Sequence, residues 1–298
     1  MEKKYSETTE EIAGIIARRK AHADPKDHLI FHENGPLVWM TAPNLEAQPW
    51  VRHGFSTRLG GVSEGDIGTM NLSFTRGDAE DHVRENYRRM AEAVGFDPQK
   101  LVLTHQTHTA NVRVVGRDDA GKGYCVDRGY TDVDGLVTNE PEITLACFGS
   151  DCVQLLAADP GRKVIGCAHS GLRGTVADIG GNLIRTMQKQ FGSNPADILT
   201  VVGPSICGDC YEVSEDVITH FEQVYPAETH GRLFYRKENG KYQLDLWQAC
   251  ALNFEQAGVA PAHICMTDLC TRCNPQLLFS HRIQKGRQTN LAALISIQ

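Results

Sequence analysis

Apolar residues recur at helical spacing in four stretches of the chain. Residues 8 to 20 put Ile12, Ile15 and Ile16 on one face behind Thr8 and Glu11, which fit a capping box. A second helix is expected after Asp78, with Val83, Tyr87, Met90 and Val94 as its buried stripe and Gly95 as its stop. A third is expected from about Thr175 to Phe191, with Ile179, Leu183 and Met187 at four-residue steps and Gly192 after it. A fourth covers about 245 to 257, with Cys250, Phe254 and Ala257 inward and Gly258 beyond. Between them lie β-rich runs: LVLT at 101, NVRVV at 111, TLACF at 144, VQLLAAD at 153, KVIGCAH at 163, ILTVV at 198 and ICMT at 264. Prolines and glycines interrupt residues 24 to 50 around one strand-like piece, Val38 to Met40, which reads as connector plus edge strand. Strands outnumber helices, and hairpins mix with helical crossovers. The pattern predicts an α+β fold, one domain of mixed β-sheets flanked by helices, with no internal repeat or linker to divide it.

Composition narrows the function. With 298 residues, 41% of them hydrophobic, the chain can bury a full core unaided. A net charge of −7 supplies no basic field for nucleic acid or anionic membrane, so small molecules are the expected partners and the protein is expected to be a monomer or small homo-oligomer. The charged first twenty residues lack the apolar core of a signal peptide, and no apolar run is long enough to span a bilayer. A cytoplasmic location is expected, in which the 10 cysteines serve as metal ligands, nucleophiles or buried small residues.

The most informative segment is SDCVQLLAADPGRKVIGCAHSGLRGT, residues 150 to 175. Asp159-Pro160-Gly161-Arg162 has the chemistry of a type II turn between two apolar runs, which reads as a hairpin. Pairing symmetric about that turn sets Cys152 directly opposite His169, close enough to share a metal or form a thiolate–imidazole pair; a slip of one residue would separate them. Ser170, Gly171, Leu172, Arg173 and Gly174 then lead into the third helix, where Thr175 and Asp178 fit a capping box, so Ser170 and Arg173 are candidate anion-binding residues. A catalytic zinc site takes three protein ligands and keeps one position open. LTHQTHTANV offers His105 and His108 as the third, and spacing does not choose between them.

HGFSTRLGGVS at 53, NLS at 71, QTH at 106, DGLVT at 134, SDC at 150, AHSGLRGT at 168, GPSI at 203 and FSHRIQKGRQ at 279 follow in this order, and the chain from about residue 50 onward resembles the YfiH-type laccase-domain family. These proteins are also described as multicopper polyphenol oxidases, purine nucleoside phosphorylases and peptidoglycan-editing factors. The resemblance implies a catalytic domain over 51–298 behind an N-terminal helix and connector over 1–50, with one zinc ion per chain held by His108, Cys152 and His169. It implies phosphate-dependent cleavage of adenosine, inosine, guanosine and methylthioadenosine, with adenosine deamination beside it. It also carries anion-binding roles to Arg58 and Arg287 and places Asn71 and Gln106 near the substrate. The catalytic group so expected is Cys152, His169, Arg58 and Gln106, and the substrate- and phosphate-binding group is Asn71, Ser170, Arg173 and Arg287. Leu172 departs from the family's usual tryptophan.

Other signals were weighed against this. A multicopper centre needs about ten His and Cys ligands, usually with H-x-H pairs; the 12 histidines here include no such pair, so copper is not expected. His220-Phe221-Glu222 follows Cys207-x-x-Cys210, the reverse of the order in zinc deaminases. Cys207-x-x-Cys210 and Cys270-x-x-Cys273 are separated by 59 residues, well outside ribbon spacing, and read first as buried or redox-neutral thiols, with a structural metal site as the lesser alternative that a second equivalent of bound metal would favour. Three readings therefore stand in order: the phosphorylase, an amide hydrolase using Cys152 or zinc that edits peptidoglycan precursors, and a metal-binding interaction protein with no catalysis.

Overall fold

Among the described residues, fifteen short strands make three sheets, two of six strands and one of three. The computed structural model describes residues 10, 13–15, 28–285 and 289–298. Most of the helix expected over 8 to 20 lies outside the described residues. Of the rest, Ile15 is helical and buried.

In chain order the strands are β1 (Ile30–Asn34), β2 (Leu37–Thr41), β3 (Val51–Ser56), β4 (Leu101–Leu103), β5 (Val112–Val114), β6 (Gly135–Thr138), β7 (Thr144–Gly149), β8 (Val153–Asp159), β9 (Val164–Ser170), β10 (Leu199–Val202), β11 (Glu212–Val213), β12 (Phe234–Arg236), β13 (Tyr242–Leu244), β14 (Ile264–Met266) and β15 (Leu291–Ile297). The first sheet runs β1-β2-β3-β15-β7-β4, the second β14-β10-β8-β9-β6-β5, and β11-β13-β12 form a small third. Both large sheets are mixed: β4 lies parallel to β7, β5 to β6 and β10 to β14, while the other neighbours are antiparallel. This is the α+β architecture expected from the pattern.

The two large sheets pack face to face. Phe55, Leu145, Cys147 and Ile295 of the first meet Leu156, Ile165, Cys167 and Val201 of the second in one buried cluster. Strands covered on both faces need no polar alternation, which is why β8, β9 and β15 are wholly buried. Helix Glu80–Val94 covers the outer face of the first sheet with Val83, Tyr87 and Met90, and Gly95 ends it at φ 87°. Helices Ile179–Phe191, Glu215–Val224 and Leu246–Gln256 cover the outer face of the second. No described helix is long and apolar enough to cross a membrane.

Two local expectations need correction. The third helix is split: Leu172–Val176 forms one short turn of helix, and Asp178, at φ 60°, restarts the chain as the cap of Ile179–Phe191 by accepting from the Gly181 N–H. Thr175 is therefore no cap, and its hydroxyl donates instead to the Gly171 carbonyl. The hairpin also has a longer turn than the sequence suggests. Asp159 pairs with Val164, its carboxylate accepts from the Gly161 and Arg162 N–H groups, and Lys163 takes φ 53°. The register thereby moves by two residues, so His169 faces Gln154 and Cys152 lies diagonally from it. An even slip preserves the face, so the two side chains stay on one side of the sheet.

The sheet-to-sheet cluster makes a testable claim about β15. Ile295→Ala should cost about 2–5 kcal/mol, the range for truncating a buried aliphatic residue, read as a lower urea midpoint at unchanged slope. Val126→Ala, at a side chain 56% exposed, should stay within about 0.5 kcal/mol. Equal midpoints for the two would contradict the placement of β15 at the centre of the core.

Candidate functional site

Strand pairing builds the site from the backbone outward. β6 runs antiparallel to β9 with Gly135 opposite Ala168, so Asp134, just ahead of β6, sits beside His169 and its carbonyl accepts the His169 N–H at 2.8 Å. Cys152 immediately precedes β8, and His108 lies on the loop after β4, held at φ 66°. The nitrogen and sulfur ligand atoms of His108, Cys152 and His169 lie within 4.8 Å of one another, and the two imidazoles meet edge to face with centroids 4.8 Å apart. The structure thus brings His108 to the pair. His105 instead forms a bridge with Val133, and its Nδ1 accepts the Asp132 N–H at 3.3 Å.

Asp134, which sequence reasoning passed over as a site residue, organises the cluster. Its Oδ1 accepts from His169 Nδ1 at 2.9 Å and from the His108 N–H at 3.0 Å. Its Oδ2 accepts from the Thr107 N–H, the Thr109 N–H and the Thr109 hydroxyl at 3.0, 3.0 and 2.9 Å. The bond to Nδ1 leaves His169 Nε2 as its ligand atom, the usual orientation of a metal-binding histidine backed by a carboxylate. Close packing completes the cradle: a Cβ on Gly171 would lie 2.7 Å from His108 Cδ2 and 3.0 Å from Cys152 Sγ, so only glycine fits there.

The electrostatics follow from this arrangement. Burial alone would push the Cys152 thiol up, but hydrogen bonds from His108 and His169 outweigh it and bring it from 9.0 down to about 6. Burial likewise opposes a charge on His169, yet the hydrogen bonds to Asp134 and Cys152 raise it to about 10. Burial also disfavours the Asp134 carboxylate, and its bonds from His169 and the Thr107–Thr109 loop hold it at about 2. A thiolate, an imidazolium and a carboxylate form a line of alternating charge.

His108, Cys152 and His169 open into a cleft of about 860 Å³. Phe74, Tyr124 and Phe148 contribute rings to it, and Arg76, Arg84, Arg128 and Arg282 contribute positive charge. Arg84 is committed in part, bonded to Glu80 and lying over the Phe74 and Tyr124 rings at 5.6 and 5.2 Å. Arg128 Nε is buried without a hydrogen-bond partner among the described residues. Gln106 and Leu172 also line the cleft. The Gln106 amide is pinned in place, donating to the Phe148 carbonyl and accepting from its N–H, both at 2.7 Å.

The other expected residues stand elsewhere. Arg58 donates to the carbonyls of Pro275 and Gly68, lies over the Phe279 ring and borders a separate surface depression. Asn71 is fully buried and binds Asp78, Ser73 and Thr289. The Ser170 hydroxyl is buried against Thr175 and Cys250. Arg173 is exposed, because it follows Leu172 around the short helix and points away from the cleft that Leu172 lines. Arg287 lies outside the described residues. The sequence signal for Arg76, Arg84 and Arg128 was weak: each stands in an ordinary charged helix or polar loop, and only the fold turns them to one cleft.

The charge line sets a pH window. The Cys152 contribution to stability is fully present above the unfolded thiol's value and is lost as pH falls through about 6. The His169 contribution is fully present below the unfolded imidazole's value and is lost as pH rises through about 10. In metal-free protein, iodoacetamide should therefore modify Cys152 with a midpoint near pH 6, and Asp134→Asn should raise that midpoint by removing the imidazolium's partner. A wild-type profile matching an ordinary free thiol would count against the ion pair.

Residues 52–298 match the family model described as multi-copper polyphenol oxidoreductase laccase. The chain is 33% identical over 262 residues to purine nucleoside phosphorylase YlmD of Geobacillus stearothermophilus, covering 84% of this chain and 95% of that one. It is 34% identical over 277 residues to the Bacillus subtilis protein of the same name, covering 88% and 98%. The crystal structure of Bacillus licheniformis YfiH superposes with a TM-score of 0.83 at 30% identity, over 90% of this chain and 99% of that one. That of Geobacillus stearothermophilus YlmD also gives 0.83, at 32% identity over 91% and 99%. By sequence over most of its length and by fold, this chain belongs to the YfiH-type laccase-domain family.

Proposed function

We propose that this protein is a purine nucleoside phosphorylase whose active site is the cleft at His108, Cys152 and His169. The observation that carries the reading is the shared cleft: a three-ligand His–Cys cluster, aromatic rings and arginines face one volume of about 860 Å³. A nucleoside has a flat apolar base for the rings, and phosphate has the charge for the arginines. The name carried by the Geobacillus and Bacillus relatives supports the same reaction.

The donor set fits zinc. Two imidazoles and a low-pKa thiolate converge from three sides, the Asp134 carboxylate backs one imidazole, and the exposed His108 leaves the side toward the cleft open. Zinc, when bound, supplies a Lewis acid beside the substrate. Phosphorolysis breaks the glycosidic C–N bond, sends its electron pair to the purine and joins a phosphate oxygen to C1′ of the ribose. The chain's part is positioning and electrostatics. Arg76 and Arg128 hold the phosphate, Phe74, Tyr124 and Phe148 confine the base, and Asp134 keeps the His169 ring from turning and anchors the His108 backbone. Adenosine, inosine, guanosine and methylthioadenosine are the substrates proposed, and inosine formed from adenosine would reveal deamination at the same site.

A second reading rests on the line Cys152, His169, Asp134, which is also the arrangement of a cysteine nucleophile with its base and orienting carboxylate. In that case the cleft would cleave an amide in a peptidoglycan precursor and release an amino acid without phosphate.

Zinc-loaded protein should release free purine from adenosine or inosine only when phosphate is present, and Cys152→Ala should abolish it. Arg128→Ala should raise the KM for phosphate about tenfold, the effect of losing one charge-assisted interaction, with little change in the KM for nucleoside. Base release indifferent to phosphate would exclude phosphorolysis, and amino acid release from a precursor nucleotide would move the assignment to the amide hydrolase.

A further inference from the structure

The fold joins the two C-x-x-C motifs that sequence spacing keeps apart. β10 and β14 are parallel neighbours, with Thr200 opposite Ile264 and Val202 opposite Met266, so the loops that follow them leave the same end of the second sheet. A bridge between Ser205 and Cys270 continues the pairing, and the Thr271 N–H donates to the Ser205 carbonyl at 3.0 Å. Each loop then makes one tight turn, Gly208–Cys210 in the first and residues 271–273 in the second, that presents two thiols. The sulfurs of Cys207, Cys210, Cys270 and Cys273 lie within 4.8 Å of one another, with Cys210 and Cys273 at 3.4 Å. Ligands bound to zinc at about 2.3 Å in a tetrahedron stand about 3.8 Å from each other. The separations of the four sulfurs, all within 4.8 Å, accommodate that spacing.

We propose that Cys207, Cys210, Cys270 and Cys273 are a second metal site, a closed tetrathiolate site for zinc that locks the two loops together. All four ligands are protein thiols, the composition of a structural site, whereas the cluster at Cys152 has three ligands facing a cleft. The backbone agrees with a thiolate at Cys270: the Cys207 N–H points at its sulfur at 3.3 Å, an amide–sulfur bond of the kind that stabilises a coordinated thiolate.

The lock bears on the cleft through short connections. Thr271, between Cys270 and Cys273, donates to Asp151 Oδ1 at 2.6 Å, and the Ile206 N–H donates to the Asp151 carbonyl at 3.1 Å. Asp151 precedes Cys152, and Tyr211, which follows Cys210, lines the cleft. Metal at the four cysteines therefore fixes the backbone beneath Cys152 and one cleft wall. This inference does not rest on the phosphorylase reading, because it concerns ligands outside the cleft.

The test is zinc content by mass spectrometry on the purified full chain. Cys210→Ser/Cys273→Ser should carry about one zinc fewer per chain than wild type and melt at lower temperature, whereas Cys152→Ala should leave the tetrathiolate zinc in place. Equal metal content in wild type and the folded double variant would overturn the proposal, as would iron instead of zinc at the four cysteines. Should the double variant not fold, N-ethylmaleimide mapping of the wild type decides. The four cysteines should resist alkylation until a chelator removes the metal. Immediate labelling of all four, or a Cys210–Cys273 disulfide in metal-replete protein, would equally reject the site.

Discussion

A single buried carboxylate holds the geometry of the His108, Cys152 and His169 cluster. Asp134 has no exposed surface, and a bare charge in that position would cost several kcal/mol. It is tolerable because five donors surround it, four of them from the stretch Thr107 to Thr109. To deliver three successive N–H groups to one carboxylate the chain must curl, and the curl is what puts His108 at positive φ. The loop conformation, the orientation of His169 and the position of His108 are thus consequences of one desolvated anion. Its neighbours share the dependence, since the Cys152 thiolate is stable through an imidazolium that is itself stable through Asp134.

This explains how a site can be stiff although two of its three ligands lie outside regular strands. Only His169 is within a strand, and it is in the middle of a sheet whose two faces are both covered. Cys152 is tied to that frame by β8, and His108 by the hydrogen bond that its backbone N–H donates to the Asp134 carboxylate. Gly171 allows the ligand side chains to come within contact of the backbone, where any Cβ would wedge them apart.

Much of the fold could be read from the chain because double-sided burial leaves a strong signal. VQLLAAD, KVIGCAH and ILTVV were legible as strands, and Gly95, Gly192 and Gly258 as helix stops. What escaped was β15, whose LAALISI is as apolar as a buried helix, β3, whose Arg52, His53 and Gly54 obscure the pattern, and further pieces that include β1, β6, the small third sheet and the helix Glu215–Val224. The pairing of Cys152 with His169 was reached through a register two residues off, and survived because an even error keeps the face. The choice of His108 over His105 came only from the family resemblance, since both follow the same short strand. Asp134 announced itself only as a polar residue ahead of an apolar strand, and its role appears once β6 is placed beside β9. The arginines were least legible: Arg58 looked suited to an anion on a glycine-rich turn, but the turn uses its guanidinium to bind carbonyls of its own fold.

The division between frame and wall has a consequence for specificity. His169 is held in sheet pairing, and Asp134, His108 and Cys152 at its margin are tied to it by hydrogen bonds and close packing, so a changed side chain disturbs several contacts at once. Cleft walls come from loops and helix ends, where Phe74, Tyr124, Leu172 and Tyr211 contact the open volume. Leu172 illustrates the difference, because it starts the short helix after β9, three residues from His169, and is held by apolar packing while it lines the cleft. Where the family resemblance leads to tryptophan, Leu172 presents an isobutyl group in place of a flat indole wall beside His169. Substitution at these walls leaves the His108, Cys152 and His169 geometry intact, and substitution at Asp134 or Gly171 does not.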